Sequence, residues 1–127
     1  AFPLLLAGEP SSEQVAGLGA PDAAARRSAE QALIAQGEKA APAVLAALAE
    51  AQDEEVRLGC IHMLGMLPAA RARSLPVLRG LLGDPAWRVR SRACIALGRL
   101  RALDEPSLSA LAEALADPCR SVGRAAR

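Results

Sequence analysis

The stretch from Asp84 to Leu100 recurs along the chain at nearly constant spacing, and that recurrence restricts the fold more than any other feature. The shift that lays Val89 over Val56 also lays Arg90 over Arg57, Leu97 over Leu64, Gly98 over Gly65 and Leu100 over Leu67. The same shift downstream carries Asp84 and Pro85 onto Asp117 and Pro118, and Val89 onto Val122. Upstream, a slightly shorter shift carries Asp53 onto Asp22, with Ala25 and Arg26 standing where Val56 and Arg57 stand. A unit of roughly 30 residues cannot bury its apolar face alone and must stack on its neighbours, so the pattern predicts a solenoid.

Residue types say what kind of solenoid. The 127 residues suffice for one domain, and 52% are apolar, yet aromatics make up only 2% and tyrosine is absent. Leu, Ala and Val without rings suit close helix-on-helix packing and offer little for stacking on bases or sugars. Period-two alternation is absent, and the apolar positions follow helical spacing, so the fold is all-α. Asp22 is expected to cap a helix to Gln36, and Asp53 another to Leu67. Helices are also expected from Ala40 to Ala51, from Ala72 to Leu82 with Pro76 near its start, and from Glu105 to Ala116. The opening stretch gives a helix capped by Asp84 with Pro85 at its first position. A short helix from Ser11 to Leu18 and one begun at Asp117 and Pro118 complete eight. They make a right-handed α-solenoid of about four hairpins in one domain: 11–36, 40–67, 72–101 and an incomplete 105–127. Residues 1–10 form an arm or cap on the first hairpin.

Net charge is only +1, but it is unevenly spread. Residues 1–56 hold three basic and nine acidic groups, whereas residues 57–127 hold twelve and five. Along a solenoid this becomes a dipolar surface suited to charge-guided contacts. Cys60, Cys94 and Cys119 are odd in number and lie in different repeats, so no disulfide framework is expected and a cytoplasmic setting follows, unless an upstream signal has been removed. No apolar run approaches the roughly 20 residues of a membrane span. Arginine outnumbers lysine fourteen to one, which suits a GC-rich bacterial genome.

The order of residues in each unit is a proline, a Leu-rich first helix, an Asp in the turn, Val-Arg opening the second helix, then Ala and Leu-Gly. Pro76 to Leu82, Asp84, Val89, Arg90, Ala93, Leu97 and Gly98 give it in full. This resembles the HEAT-repeat family, specifically the bacterial HEAT-like repeats also seen in phycobilin lyases, over residues 11–127. The outer copies drift, with Ala25 for valine, Ile34 for glycine and Gly123 where arginine is expected. The resemblance implies that the turn Asp and the Val-Arg arginine form a ladder between hairpins, occupying Asp22, Asp53 and Asp84 with Arg26, Arg57 and Arg90. It also implies that the second helices line a concave surface.

Projected as a helix, Val89, Ala93, Ala96, Leu97 and Leu100 share one face, which is the expected core stripe. Arg88, Arg92, Ile95 and Arg99 share another, and the same surface of the preceding unit offers Glu55, Gly59, His62 and Met66. These are the expected partner-binding residues. Trp87, beside them, is expected to pack over its helix start. His62 lacks acidic or thiolate neighbours at ligand spacing, so neither a metal nor a cofactor is expected. No phosphate loop, nucleophile elbow or paired-carboxylate pattern occurs, so the chain is expected not to be an enzyme. The function expected is a scaffold that holds another protein, through an acidic segment on the basic ridge. A nucleic-acid-binding HEAT-like domain and a lyase-type accessory acting on another protein are the alternatives; half of the groove would repel a phosphate backbone. The partly covered Leu111 and Leu115 suggest self-association through the C-terminal end, or continuation into a longer chain.

Overall fold

The computed structural model describes residues 15–117 and 119–126, without the side chains of Arg120 and Ser121. The arm expected at residues 1–10 and the beginning of the helix expected from Ser11 lie outside the described residues. The chain is all-α, with no strand among the described residues. After a 3-10 turn at Gly17–Gly19 come α1 (Ala23–Gln36), α2 (Ala41–Glu50), α3 (Glu54–Gly65), α4 (Arg71–Leu81), α5 (Trp87–Arg99), α6 (Glu105–Ala114) and α7 (Arg120–Ala126). Helices α3, α5 and α7 pack side by side as one layer of the solenoid, and α2, α4 and α6 form the other.

Turn chemistry places these helices. Asp22 and Asp53 are the N-caps of α1 and α3, and their carboxylates accept from the N–H groups of Ala24 and Glu55 at 3.1 and 2.9 Å. Asp84 and Asp117 accept from the N–H groups of Ala86 and Cys119 in the same way. At Asp84, however, the helix starts later, and the N-cap of α5 is Ala86, so neither Asp84 nor Pro85 holds the position expected. The turn that contains Pro85 sets Asp84 further ahead of Val89 than Asp53 stands ahead of Val56, which accounts for the longer spacing of the later valines. Pro76 also departs from expectation, because α4 begins at Arg71 and the proline falls inside it on the solvent side. The end of α5 is closed by Arg101, a left-handed residue with φ 52°, and by the N–H of Ala102, which donates to the Leu97 carbonyl at 3.0 Å.

Residues 23–50 form a helical run long and apolar enough, by length and composition, to cross a membrane. That run is two helices of the stack rather than one rod. Gly37, at φ 61°, breaks it, and Leu33, Val44 and Leu48 on either side of the break enter the core.

One continuous core joins the two layers through Leu33, Val44, Leu58, Ile61, Leu64, Leu78, Val89 and Leu97. A smaller cluster of Cys94, Ala114 and Val122 seats α7. Burial pushes the thiols of Cys60 and Cys94 up to about 11, so both stay protonated and behave as small apolar side chains. At the near end the turn carrying Leu18 lies directly against α3. A Cβ on Gly59 would stand 2.5 Å from the Leu18 carbonyl oxygen, so only glycine admits this approach.

Two rungs of charge join successive hairpins. Arg57 Nη2 donates to Asp84 Oδ2 at 2.7 Å. Arg90 is bidentate, donating from Nε to Asp117 Oδ2 at 2.8 Å and from Nη2 to Oδ1 at 3.2 Å. Arg90 also closes its own turn by donating to the Asp84 and Pro85 carbonyls. Arg26 makes the turn contact, to the Ala20 and Pro21 carbonyls, but no rung: Asp53, at the spacing of the other rung aspartates, is the N-cap of α3 and accepts from the Glu55 N–H. The ladder assigned to Asp22, Arg26 and Asp53 is therefore corrected: the two aspartates are helix caps and Arg26 is a turn clasp. A further tie runs from Arg79 Nη1 to Asp104 Oδ2 and Ser107 Oγ, both at 3.3 Å, fastening α4 to the start of α6.

The rungs make stability depend on acid. Burial pushes the Asp84 carboxyl up, but the Arg57 hydrogen bond, the Ala86 N–H and the nearby arginine charges outweigh it, and the net displacement is below the ordinary 3.8. Arg90 holds Asp117 below 3.8 as well, helped by the Cys119 N–H. A carboxyl whose folded value is depressed favours folding above its unfolded value, and that contribution is lost as pH falls through the folded value. Urea midpoints should therefore show an Asp84→Asn, Asp117→Asn variant clearly less stable than the parent at about pH 6, with the gap closing as pH falls below 3.8. An unchanged gap across that range would remove the rungs from the account of stability.

Candidate partner-binding face

The exposed side of the α3 and α5 layer is built in rows, because equivalent residues of stacked helices stand side by side. Glu55 and Arg88, Gly59 and Arg92, His62 and Ile95, and Met66 and Arg99 hold equivalent positions in successive units. Two rows are bonded across the gap. Glu55 Oε1 accepts from Arg88 Nη1 at 3.2 Å, and Glu54 Oε2 lies 3.8 Å from the same nitrogen. Met66 Sδ accepts from Arg99 Nη1 at 3.0 Å. From α1, Glu30 Oε1 approaches His62 Nε2 to 3.6 Å.

The residues expected to bind a partner are thus brought onto one surface but do not share one state. Arg88 is already matched by two carboxylates. Arg92 makes no hydrogen bond or ion pair among the described residues, and Arg99 is held only by a thioether sulfur. His62 is partly buried; desolvation lowers its pKa below 6.5, Glu30 raises it, and Arg99 and Arg92 lower it again. It stays neutral at pH 7. Gly59 supplies no open floor, since Leu18 covers it. Met66 and Ile95 are 38% and 42% exposed, large for aliphatic side chains with no role in the core. Trp87 stands 47% exposed at the head of α5.

A family model of HEAT repeats matches residues 41–127. The chain belongs to the HEAT-repeat family. HEAT repeats are commonly protein-interaction scaffolds, and the fold is generally non-catalytic. A search of curated proteins found no match to this chain. The matched region begins at α2, whereas the resemblance read from the residues begins at 11. The first HEAT hairpin is the one that carries Ala25 and Ile34 in place of the usual valine and glycine, and it lacks the arginine rung.

The opposite layer of the HEAT stack carries two open clefts between consecutive first helices. One, of about 380 Å³, is lined by Leu45, Leu48, Val77, Leu81 and Arg57; the other, of about 430 Å³, includes Arg79, Glu113 and Asp117. Arg57, Arg79 and Asp117 are already engaged in ties between hairpins, so the clefts are by-products of the stacking. No group of three or more metal-ligating side chains occurs among the described residues. The open face of α3 and α5 sets two exposed aliphatics, Met66 and Ile95, beside the uncommitted Arg92 and the weakly held Arg99. Sequence projection put Arg88, Arg92, Ile95 and Arg99 on one helix face; it did not foresee that the acidic row of α3 would neutralise Arg88, although the repeat register already pairs Glu55 with it.

Proposed function

We propose that this chain is a non-enzymatic scaffold that binds another protein on the open face of α3 and α5. One observation carries the reading: Met66 and Ile95 stand exposed between Arg92, Arg99 and neutral His62, so an apolar patch and uncompensated positive charge share one surface. Such a combination supplies contact area at the centre and charge steering at the edge, the division of labour of protein interfaces. A nucleic-acid backbone would meet Glu30, Glu54 and Glu55 on the same surface and find no aromatic row to stack on, so the protein reading is favoured. Attachment through this face agrees with the family's common use as an interaction scaffold.

Photo-cross-linking tests the reading. A photoreactive residue at Ile95 should yield defined protein adducts in the cell of origin, whereas one at Val77, exposed on α4, should not. Adducts at Val77 alone, or at neither position, would move the binding surface elsewhere or remove it.

A further inference from the structure

Resting on that reading, we infer that the occupant of this face is an acidic amphipathic helix lying along α5. Two of its carboxylates, at positions i and i+7, pair with Arg92 and Arg99, and an apolar residue between them meets Ile95 and Met66.

The spacing selects the helix. Arg92 and Arg99 are seven residues apart on α5, about 10 Å along its axis at 1.5 Å per residue. They lie on one side, with Ile95 between them. A partner strand presents same-face residues about 7 or 13 Å apart, so it reaches one arginine and misses the other. A partner helix presents i and i+7 about 10 Å apart on the same side, with i+3 and i+4 between them. The face then reads as a charge, an apolar contact and a charge, in the same order on both helices.

The state of each cation selects the carboxylates. Arg88 meets Glu55 at 3.2 Å and has Glu54 at 3.8 Å, so an incoming acid there would displace an existing pair and gain little. Arg92 is uncommitted among the described residues. Arg99 gives its Nη1 to Met66 Sδ, a weak acceptor that a carboxylate outcompetes. The released Met66 is unbranched and adaptable, able to close on whatever aliphatic side chain arrives. The acidic side chains Glu30, Glu54 and Glu55 bound the patch on the side of α1 and the head of α3, so a ligand with two discrete acids fits where a continuous polyanion is repelled.

The test uses a synthetic alanine-glutamine helix of about 16 residues with Glu at i and i+7 and Leu at i+3 and i+4, the length being that needed for appreciable helicity. Its partner peptide has the same composition with the acids at i and i+5. Fluorescence anisotropy at low salt should show the first peptide binding at least about fivefold more tightly than the second, the ratio that about 1 kcal/mol of exposed charge pairing produces. Arg92→Gln and Arg99→Gln should each weaken the first peptide by about fivefold, whereas Arg88→Gln should change it by less than about twofold. Equal losses at all three arginines, or equal affinity for the two peptides, overturns the proposal, because either result describes diffuse charge attraction. Tighter binding of a short DNA duplex than of either peptide overturns it too. If neither peptide binds while Ile95 still cross-links to a protein, the helical occupant is wrong and the scaffold reading survives. If both experiments fail, both readings fall.

Discussion

Replacing Leu97 with alanine is expected to cost roughly 2–5 kcal/mol, the usual range for a leucine removed from a closed core. Leu97 has no exposed surface and sits in the cluster joining α3, α4 and α5. Its neighbours belong to different hairpins, so the cavity cannot be closed by moving one helix without parting another. Chemical denaturation should register the loss as a fall in midpoint at nearly constant slope. A loss below about 0.5 kcal/mol, the level of ordinary surface changes, would mean that the buried face of α5 has been misassigned.

Gly59→Ala is expected to destabilise by about 1–3 kcal/mol, the cost of forcing extra volume into a packed site. In an exposed helix the same change stabilises by about 1 kcal/mol, so the sign itself is informative. The new methyl would stand 2.5 Å from the Leu18 carbonyl oxygen and 2.7 Å from Leu18 Cβ, and a backbone atom cannot step aside as a flexible side chain can. The turn at Gly17–Gly19 must then lift off α3. Gly80, exposed on α4 with nothing near its missing Cβ, is the internal control, and Gly80→Ala should stabilise by about 0.5–1 kcal/mol. Stabilisation by both substitutions would show that the first hairpin does not press on α3.

The all-α repeat was legible because its signals are local and redundant: a turn aspartate, proline and glycine breaks and a leucine stripe reappear along the chain. Val89, Ala93, Ala96 and Leu97 could be placed in the core by projection alone, since a helix face follows from spacing. The ladder was less legible. Its donors could be read from the repeated Val-Arg, but Asp53 and Asp84 look alike in sequence and differ in space. The longer turn between Asp84 and Val89 sets that aspartate ahead of the capping site, where Arg57 can reach it, and Asp117 stands in the same way to Arg90. Pairing across hairpins is a property of turn length, which residue identity does not display. The state of the binding face was hidden for a related reason. A helix projection treats Arg88, Arg92 and Arg99 as equals, and only the neighbouring helix, with Glu54, Glu55 and Met66, distinguishes them.

The missing rung between Arg26 and Asp53 has a mechanical consequence. A stack clamped by charge at Arg57–Asp84 and Arg90–Asp117 has no such clamp at its first junction. Helix α1 reaches α3 through the turn carrying Leu18, which packs closely on α3, and through the Glu30–His62 approach. That junction is held by apolar packing without a charge rung, and in such arrays each junction contributes its own share of stability. A ligand resting on α5 sits on the clamped length. One that reaches back to the exposed Ile34 on α1 crosses the single junction without an arginine rung among the described residues, where its grip depends on apolar packing and not on charge.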